Sequence, residues 1–288
     1  MKRVVTGLIF FSLTLASILL GGFWLALFLA IICFIGEKEY VHLNETKGNR
    51  PSFTFIAFFG FLVFGAALFN RYDLMIAIVS CATIVSFLAI MTRERSTIAD
   101  TATSLLGVLY GMLLPAHLVL LRGIDKSGLH FLNYTFNPKG LFQLNEGLGY
   151  LILVFAIIVM TDCGAYYIGS KFGKTPLAPR ISPKKTVEGS LGGFISAVLI
   201  SLIVGSAIHI DPLNCIAAGI VFSAFAQLGD LAESMMKRDA NAKDASDFLP
   251  GHGGILDRAD SFIFTAAVAY YYFNYAYDFI RLLSERIF

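Results

Sequence analysis

Charge is what this sequence has least of: acidic and basic residues make up 15% of its 288 positions, against about 25% in an average soluble domain. A soluble globular chain is excluded, because its surface would need more charge than this. The net charge of +2 also leaves no broad basic field for nucleic acid, so attraction for anions has to come from local clusters of Lys and Arg. Cysteine is sparse as well. Cys33, Cys81, Cys163 and Cys215 stand singly in apolar runs without C-x-x-C spacing, which reads as buried thiols rather than a disulfide framework or a zinc site. Tryptophan occurs once, whereas phenylalanine occurs 27 times and 57% of residues are hydrophobic. That is the composition of a membrane protein.

Apolar runs long enough to cross a hydrocarbon core of about 30 Å as helix recur along the whole chain. They predict an all-α, polytopic integral membrane protein with about nine transmembrane helices, near residues 4–20, 22–42, 51–69, 73–91, 98–121, 147–170, 189–208, 212–236 and 258–281. The opening MKRVVTGLIFFSLTLASILLGG has the basic start of a signal peptide but no clear small-residue cleavage site, and it reads as a retained first helix. Gly21-Gly22 separates it from the second run. The chain thus divides into five membrane helices over 1–121, an extracytoplasmic connector over 122–146, and four helices with two long polar loops over 147–288.

Cytoplasmic loops collect Lys and Arg. With the N-terminus inside, Arg71, Arg122, Lys126, Lys139, Arg281 and Arg286 fall outside and the other 16 of the 22 basic residues fall inside. The two polar loops, 171–188 and 237–257, then share the cytoplasmic face and are free to build one site.

Asp230, Glu233, Ser234 and Lys237 occupy one face of the eighth helix. Glu233 and Lys237 are spaced for an i,i+4 ion pair, while Asp230 lies deeper, where an acid calls for a wet cavity, a partner or an ion. Asp257 and Asp260 open the ninth helix one turn apart, after the glycine-rich turn Pro250-Gly251-His252-Gly253-Gly254. Carboxylates are favoured at such a helix start, and glycines let backbone approach a phosphate or ion. If these helices pack side by side, Asp230 and Asp257 meet and offer oxygen ligands of the kind Mg²⁺ prefers. His252 reads as a hydrogen-bonding group as readily as a ligand. Lys171, Lys174, Arg180, Lys184 and Lys185 cluster in the other loop, where SPKKTVEGS brings donors and charge to a helix start, fit for phosphate or an anionic headgroup. GSKFGKT is one residue short of a P-loop and follows a helix instead of a strand. Asp162 is a further acid within a helix, needing a cavity or a structural partner.

The stretch SMMKRDANAKDASDFLPGHGGILDRAD, from Ser234 to Asp260, resembles the signature of the phosphatidate cytidylyltransferases, or CDP-diacylglycerol synthases. Every fixed position of S-x-x-K-R-x4-K-D-x-[small]-x2-[apolar]-P-G-H-G-G-x2-D-R-x-D is present; Ala259 is smaller than the residue usual there. Similarity continues through DCGAYYIGSKFGKTPLAPRISPKKTVEGSLGG and GDLAES, so it covers the C-terminal half firmly. The resemblance implies an enzyme that makes CDP-diacylglycerol and pyrophosphate from CTP and phosphatidic acid, as a homodimer using Mg²⁺, with a second cation such as K⁺ left open. It implies Asp230 and Asp257 as metal ligands, and Lys237, Arg238, Lys243, Asp244, His252 and Arg258 around the nucleotide and phosphates. Asp162, Arg180, Ser182, Lys184, Lys185, Thr186, Glu188, Ser234, Gly253 and Gly254 are the expected substrate contacts. A secondary transporter is the rival from another class, but no inverted repeat is visible and the charges gather on one face. The DG-x2-AR pattern of CDP-alcohol phosphotransferases is absent.

Overall fold

A computed structural model describes residues 2–92, 97–124, 146–246, 248 and 253–287. They form α1 (Lys2–Leu20), α2 (Gly22–Glu45), α3 (Phe53–Leu68), α4 (Tyr72–Thr92), α5 (Ile98–Gly107), α6 (Leu114–Arg122), α7 (Glu146–Phe172), α8 (Val187–Ala207), α9 (Pro212–Asp239), α10 (Leu256–Tyr271) and α11 (Tyr277–Ile287). π-helical turns at Val108–Leu113 and Tyr272–Ala276 carry α5 into α6 and α10 into α11. Each predicted run falls on one helix or one such continuous pair. Five stretches, Tyr72–Met91, Ile98–Arg122, Glu146–Phe172, Val187–Ala207 and Pro212–Asp239, are long and apolar enough to cross a bilayer, accompanied by the shorter apolar Ile9–Leu20 and Phe53–Leu68. The chain is an all-α membrane protein; most of the 122–146 connector lies outside the described residues.

Helix starts follow local chemistry. Thr97 and Asp100 form a reciprocal capping box at α5. Thr186 Oγ1 accepts from Gly189 N at 3.1 Å to cap α8, and Asp211 caps α9 just before Pro212, by accepting from Asn214 N at 3.0 Å. Gly21, at φ 63°, makes the sharp break between α1 and α2.

Two details depart from the predicted pattern. The basic loop after α7 is not plain coil: β1 (Pro176–Ala178) and β2 (Ser182–Thr186) pair antiparallel, with Pro176 opposite Thr186. Prolines at 176, 179 and 183 bar helix and favour extended backbone. Glu188 locks the ribbon to α8, accepting from Lys174 N at 3.0 Å and Thr175 Oγ1 at 2.9 Å. The last predicted helix also runs on to Ile287, because no Gly or Pro interrupts the chain after Leu256.

α7 and α8 pack through small residues. A side chain on Gly164 would strike Ser196 and the Gly192 carbonyl, and one on Gly192 would strike Ile168, the close approach that membrane helices exploit. Ile157, Ile158, Ala197, Phe222 and Ala226 are fully buried behind this seam. Ile195, Leu199 and Ile203 form an exposed stripe at i, i+4 and i+8 on α8, as a lipid-facing surface would. α2 reaches across to this half: Lys47 pairs with Asp239, and Thr46 Oγ1 donates to the Ala240 carbonyl at 3.5 Å.

Candidate active site

The site is built where α9 meets α10. Gly229 lies against the Asp260 backbone carbonyl, and any side chain there would force the helices apart. The approach brings Asp230, the next residue on α9, to Asp260 on α10. Asp230, Glu233 and Asp260 each place a carboxylate oxygen within 4.8 Å of the others.

A polar cleft of about 330 Å³ opens here, lined by Asp162, Asp230, Lys237, Asp244, Asp257, Arg258, Asp260 and Ser261. Five carboxylates thus face two cations. Beneath them Glu233 is fully buried, with Lys237 Nζ 2.6 Å from its Oε2; the same ammonium lies 2.5 Å from Asp257 Oδ1. Asp257 Oδ2 accepts from Gly254 N at 2.8 Å and Ala245 N at 2.9 Å. Asp257 is therefore tied on both oxygens, whereas Glu233 has the Lys237 ammonium on one oxygen and no backbone N–H on either. An excess of carboxylates over cations, with the Asp230, Glu233 and Asp260 oxygens gathered at one point, fits a hard divalent cation.

A second groove of about 550 Å³ adjoins the cleft and shares Asp162 and Asp230 with it. Its other walls include Tyr166, Ser182, Lys184, Lys185, Thr186, Ser190 and Gln227. Lys185 Nζ lies 2.5 Å from Asp230 Oδ2, so the basic ribbon leans onto the acid cluster. On another side lies an apolar groove among α1, α2, α6, α7 and α10, lined by Phe10, Leu25, Leu118, Leu151 and Phe262. Arg258 lines both this groove and the polar cleft.

The structure gathers most of the residues expected from sequence. Asp162, Asp230, Lys237, Asp244, Asp257 and Arg258 line the cleft, and Ser182, Lys184, Lys185 and Thr186 line the groove. Others stand apart. Arg238 is engaged structurally, its Nη1 donating to the Ala242 carbonyl at 3.1 Å and its Nε to that of Ile181 at 3.4 Å. Glu188 serves the ribbon, Ser234 is buried within α9, and Arg180 and Lys243 are exposed beyond the walls of either space. Gly253 and Gly254 shape the turn: Gly253 has φ 80°, and a side chain on Gly254 would meet the Glu39 carboxylate. His252 lies outside the described residues.

Three acids enter that sequence reasoning left out of the site: Asp260, Glu233 and Glu39. Asp260 sits one turn after Asp257 and Glu233 one turn after Asp230, so helical spacing carried a signal for both. For Glu39 the signal was only the cost of an acid inside an apolar run.

Fold and clefts together define a class: a polytopic membrane protein with an acid-rich pocket beside a basic groove, equipped to handle phosphates next to lipid. Residues 1–276 match the model of the Cytidylyltransferase family, and the chain belongs to that family. It is 34% identical over 280 residues to a phosphatidate cytidylyltransferase of Synechocystis sp., covering 94% of this chain and 95% of the relative. The enzyme of the same name from Staphylococcus epidermidis is 32% identical over 269 residues, 91% of this chain and 94% of its own length. Phosphatidate cytidylyltransferase 4, chloroplastic, of Arabidopsis thaliana is 32% identical over 285 residues, 93% of this chain and 72% of the relative.

Proposed function

We propose that the chain is a phosphatidate cytidylyltransferase that converts CTP and phosphatidic acid into CDP-diacylglycerol and pyrophosphate. The observation that carries this reading is the meeting of three environments at one place: acid cleft and basic groove share Asp162 and Asp230, and Arg258 joins the cleft to an apolar groove. A double-tailed phosphate and a nucleoside triphosphate require such a junction.

In the reaction, a phosphate oxygen of phosphatidic acid bonds to the α-phosphorus of CTP while the bond to the bridging oxygen breaks, and pyrophosphate leaves with the electron pair. The attacking phosphate monoester, with a second pKa of about 6, is already ionised near neutral pH, so no strong general base is needed. Lys184 and Lys185 bind the triphosphate from the ribbon, Arg258 holds the lipid phosphate at the mouth of the apolar groove, and Lys237 fixes the Asp257 carboxylate. Mg²⁺ would suit the acid cluster: Asp230, with Asp260 and Glu233 in reach, would hold it, and Asp257, the second ligand that the resemblance implies, would have to share oxygens now engaged by Lys237 and two backbone N–H groups; bound there, the ion would neutralise phosphate charge as a Lewis acid.

Nine spans, an N-terminus in the cytoplasm, a site on the cytoplasmic face of the inner membrane and a homodimeric assembly complete the proposal. The sixteen-to-six division of basic residues supports the orientation, and the resemblance to the family supports the dimer. The test is to incubate detergent-purified protein with phosphatidic acid, Mg²⁺ and CTP labelled at the α-phosphate. A labelled lipid that disappears with EDTA is expected. No labelled lipid from phosphatidic acid overturns the reading, and label passing to an isoprenoid phosphate instead would reassign the acceptor.

A further inference from the structure

We propose that Glu39, on α2, is a positioning residue for this reaction: its carboxylate sets the turn that presents Asp257, Arg258 and Asp260 to the cleft. The inference rests on the cytidylyltransferase reading above. Glu39 belongs to none of the motif blocks and is not a wall of the polar cleft. It is 6% exposed, and such a carboxylate must find donors or counter-charge.

Its donors are two consecutive backbone N–H groups at the start of α10 and one hydroxyl from the segment before it. Glu39 Oε1 accepts the backbone N–H of Ile255 at 3.0 Å, and Oε2 accepts that of Leu256 at 2.8 Å. The Ser246 hydroxyl donates to Oε1 at 2.5 Å. The first N–H groups of a helix have no partner within it, and α10 has no side-chain cap of its own at Ile255. Glu39 supplies that cap from another helix, where negative charge also suits the helix dipole.

Asp257 makes the matching clasp from the other side, accepting from Ala245 N and Gly254 N. Two carboxylates, one from each half of the chain, therefore draw the flank at 245–246 onto the flank at 254–256. Asp257 is both a clasp and a wall of the cleft, so its place depends on the backbone that Glu39 holds. Just beyond α2, Lys47 pairs with Asp239 and Thr46 Oγ1 donates to the Ala240 carbonyl, a second contact between this end of the helix and the same half of the chain.

The test is Glu39→Gln in the full-length protein. Glutamine keeps one acceptor oxygen and turns an amide N–H toward a backbone N–H. The expected result is a fall in kcat on the order of 100-fold, the penalty for a catalytic group displaced by about 1 Å, with little change in KM for CTP. Mn²⁺ binding to the substrate-free protein, followed by electron paramagnetic resonance, weakens about tenfold, as when a supporting contact to a metal ligand is lost. Ser246→Ala, which removes one donor and spares both backbone contacts, shows a smaller loss in the same two readouts and serves as the deciding variant if Glu39→Gln does not fold. Wild-type kcat and Mn²⁺ affinity in the folded variant overturn the proposal. So does a lower yield of folded protein whose folded fraction is fully active. If the wild type makes no labelled lipid, the functional reading fails, while the Mn²⁺ measurement still judges Glu39.

Discussion

Lys237→Met tests the electrostatics of the site most directly. The Lys237 side chain is 13% exposed and bridges two carboxylates, Glu233 at 2.6 Å and Asp257 at 2.5 Å. Methionine keeps much of the stem and deletes the charge. Removing one partner of a buried ion pair costs about 3–5 kcal/mol. The two acids do not share that cost equally. Asp257 retains its bonds from Ala245 N and Gly254 N, but Glu233, fully buried, loses its only ion-pair partner among the described residues. The penalty therefore concentrates on Glu233, and Glu233→Leu added to Lys237→Met recovers the larger part of it, about 2 kcal/mol or more by the same reasoning on buried pairs. At about 2–4 °C per kcal/mol for domains of roughly 200 residues, the single variant melts about 6–20 °C below the wild type in detergent, and the double variant regains most of that. The assay is thermal unfolding of all four members of the cycle at fixed scan rate, read by intrinsic fluorescence and by retention of a monodisperse peak. A Lys237→Met protein as stable as wild type, or a double variant no better than the single, refutes the reasoning.

Other outcomes follow from the same geometry. Asp230→Asn and Asp260→Asn each lower turnover on the order of 100-fold, the usual cost of one lost electrostatic contact in a transition state, and each weakens Mn²⁺ binding measured without substrate. Leu118→Phe, in the apolar groove, raises the preference for dioctanoyl over dioleoyl phosphatidic acid by about tenfold, the scale on which a hydrophobic pocket discriminates; competition between the two lipids reads it directly. Gly192→Val drives a branched side chain into Ile168 across the α7–α8 seam and destabilises the protein by about 1–3 kcal/mol as overpacking does, visible as a lower melting temperature.

Helix positions were legible because uncharged runs and their polar breaks are local properties. The Glu233–Lys237 pair was legible for a similar reason: spacing of four on a helix fixes which side chains meet. Proline spacing barred helix over 176–183, yet the pairing of Pro176 with Thr186 depends on Glu188 pinning the ribbon from the start of α8. The acid trio needed more than spacing. Asp260 reaches Asp230 because Gly229 lets two backbones touch, and a glycine in an apolar helix does not announce which neighbour it admits. Glu39 was the least legible, since its acceptors are filled from 207 to 217 positions away along the chain. Beside Lys38 within the second apolar run, it carries no local sign of its partners.

The contact between α2 and the start of α10 also bears on how such proteins tolerate recombination. Cutting the chain in the 122–146 connector looks harmless, as no site residue lies there, yet the two pieces would not be independent. A chimera that joins α1–α6 of a relative to α7–α11 of this chain has to bring an acid at the position of Glu39, matched in reach to the 254–256 backbone, or the imported half will fold beside a turn it does not hold. Crossovers placed after α2, and not only crossovers within the motif, should then divide working hybrids from silent ones.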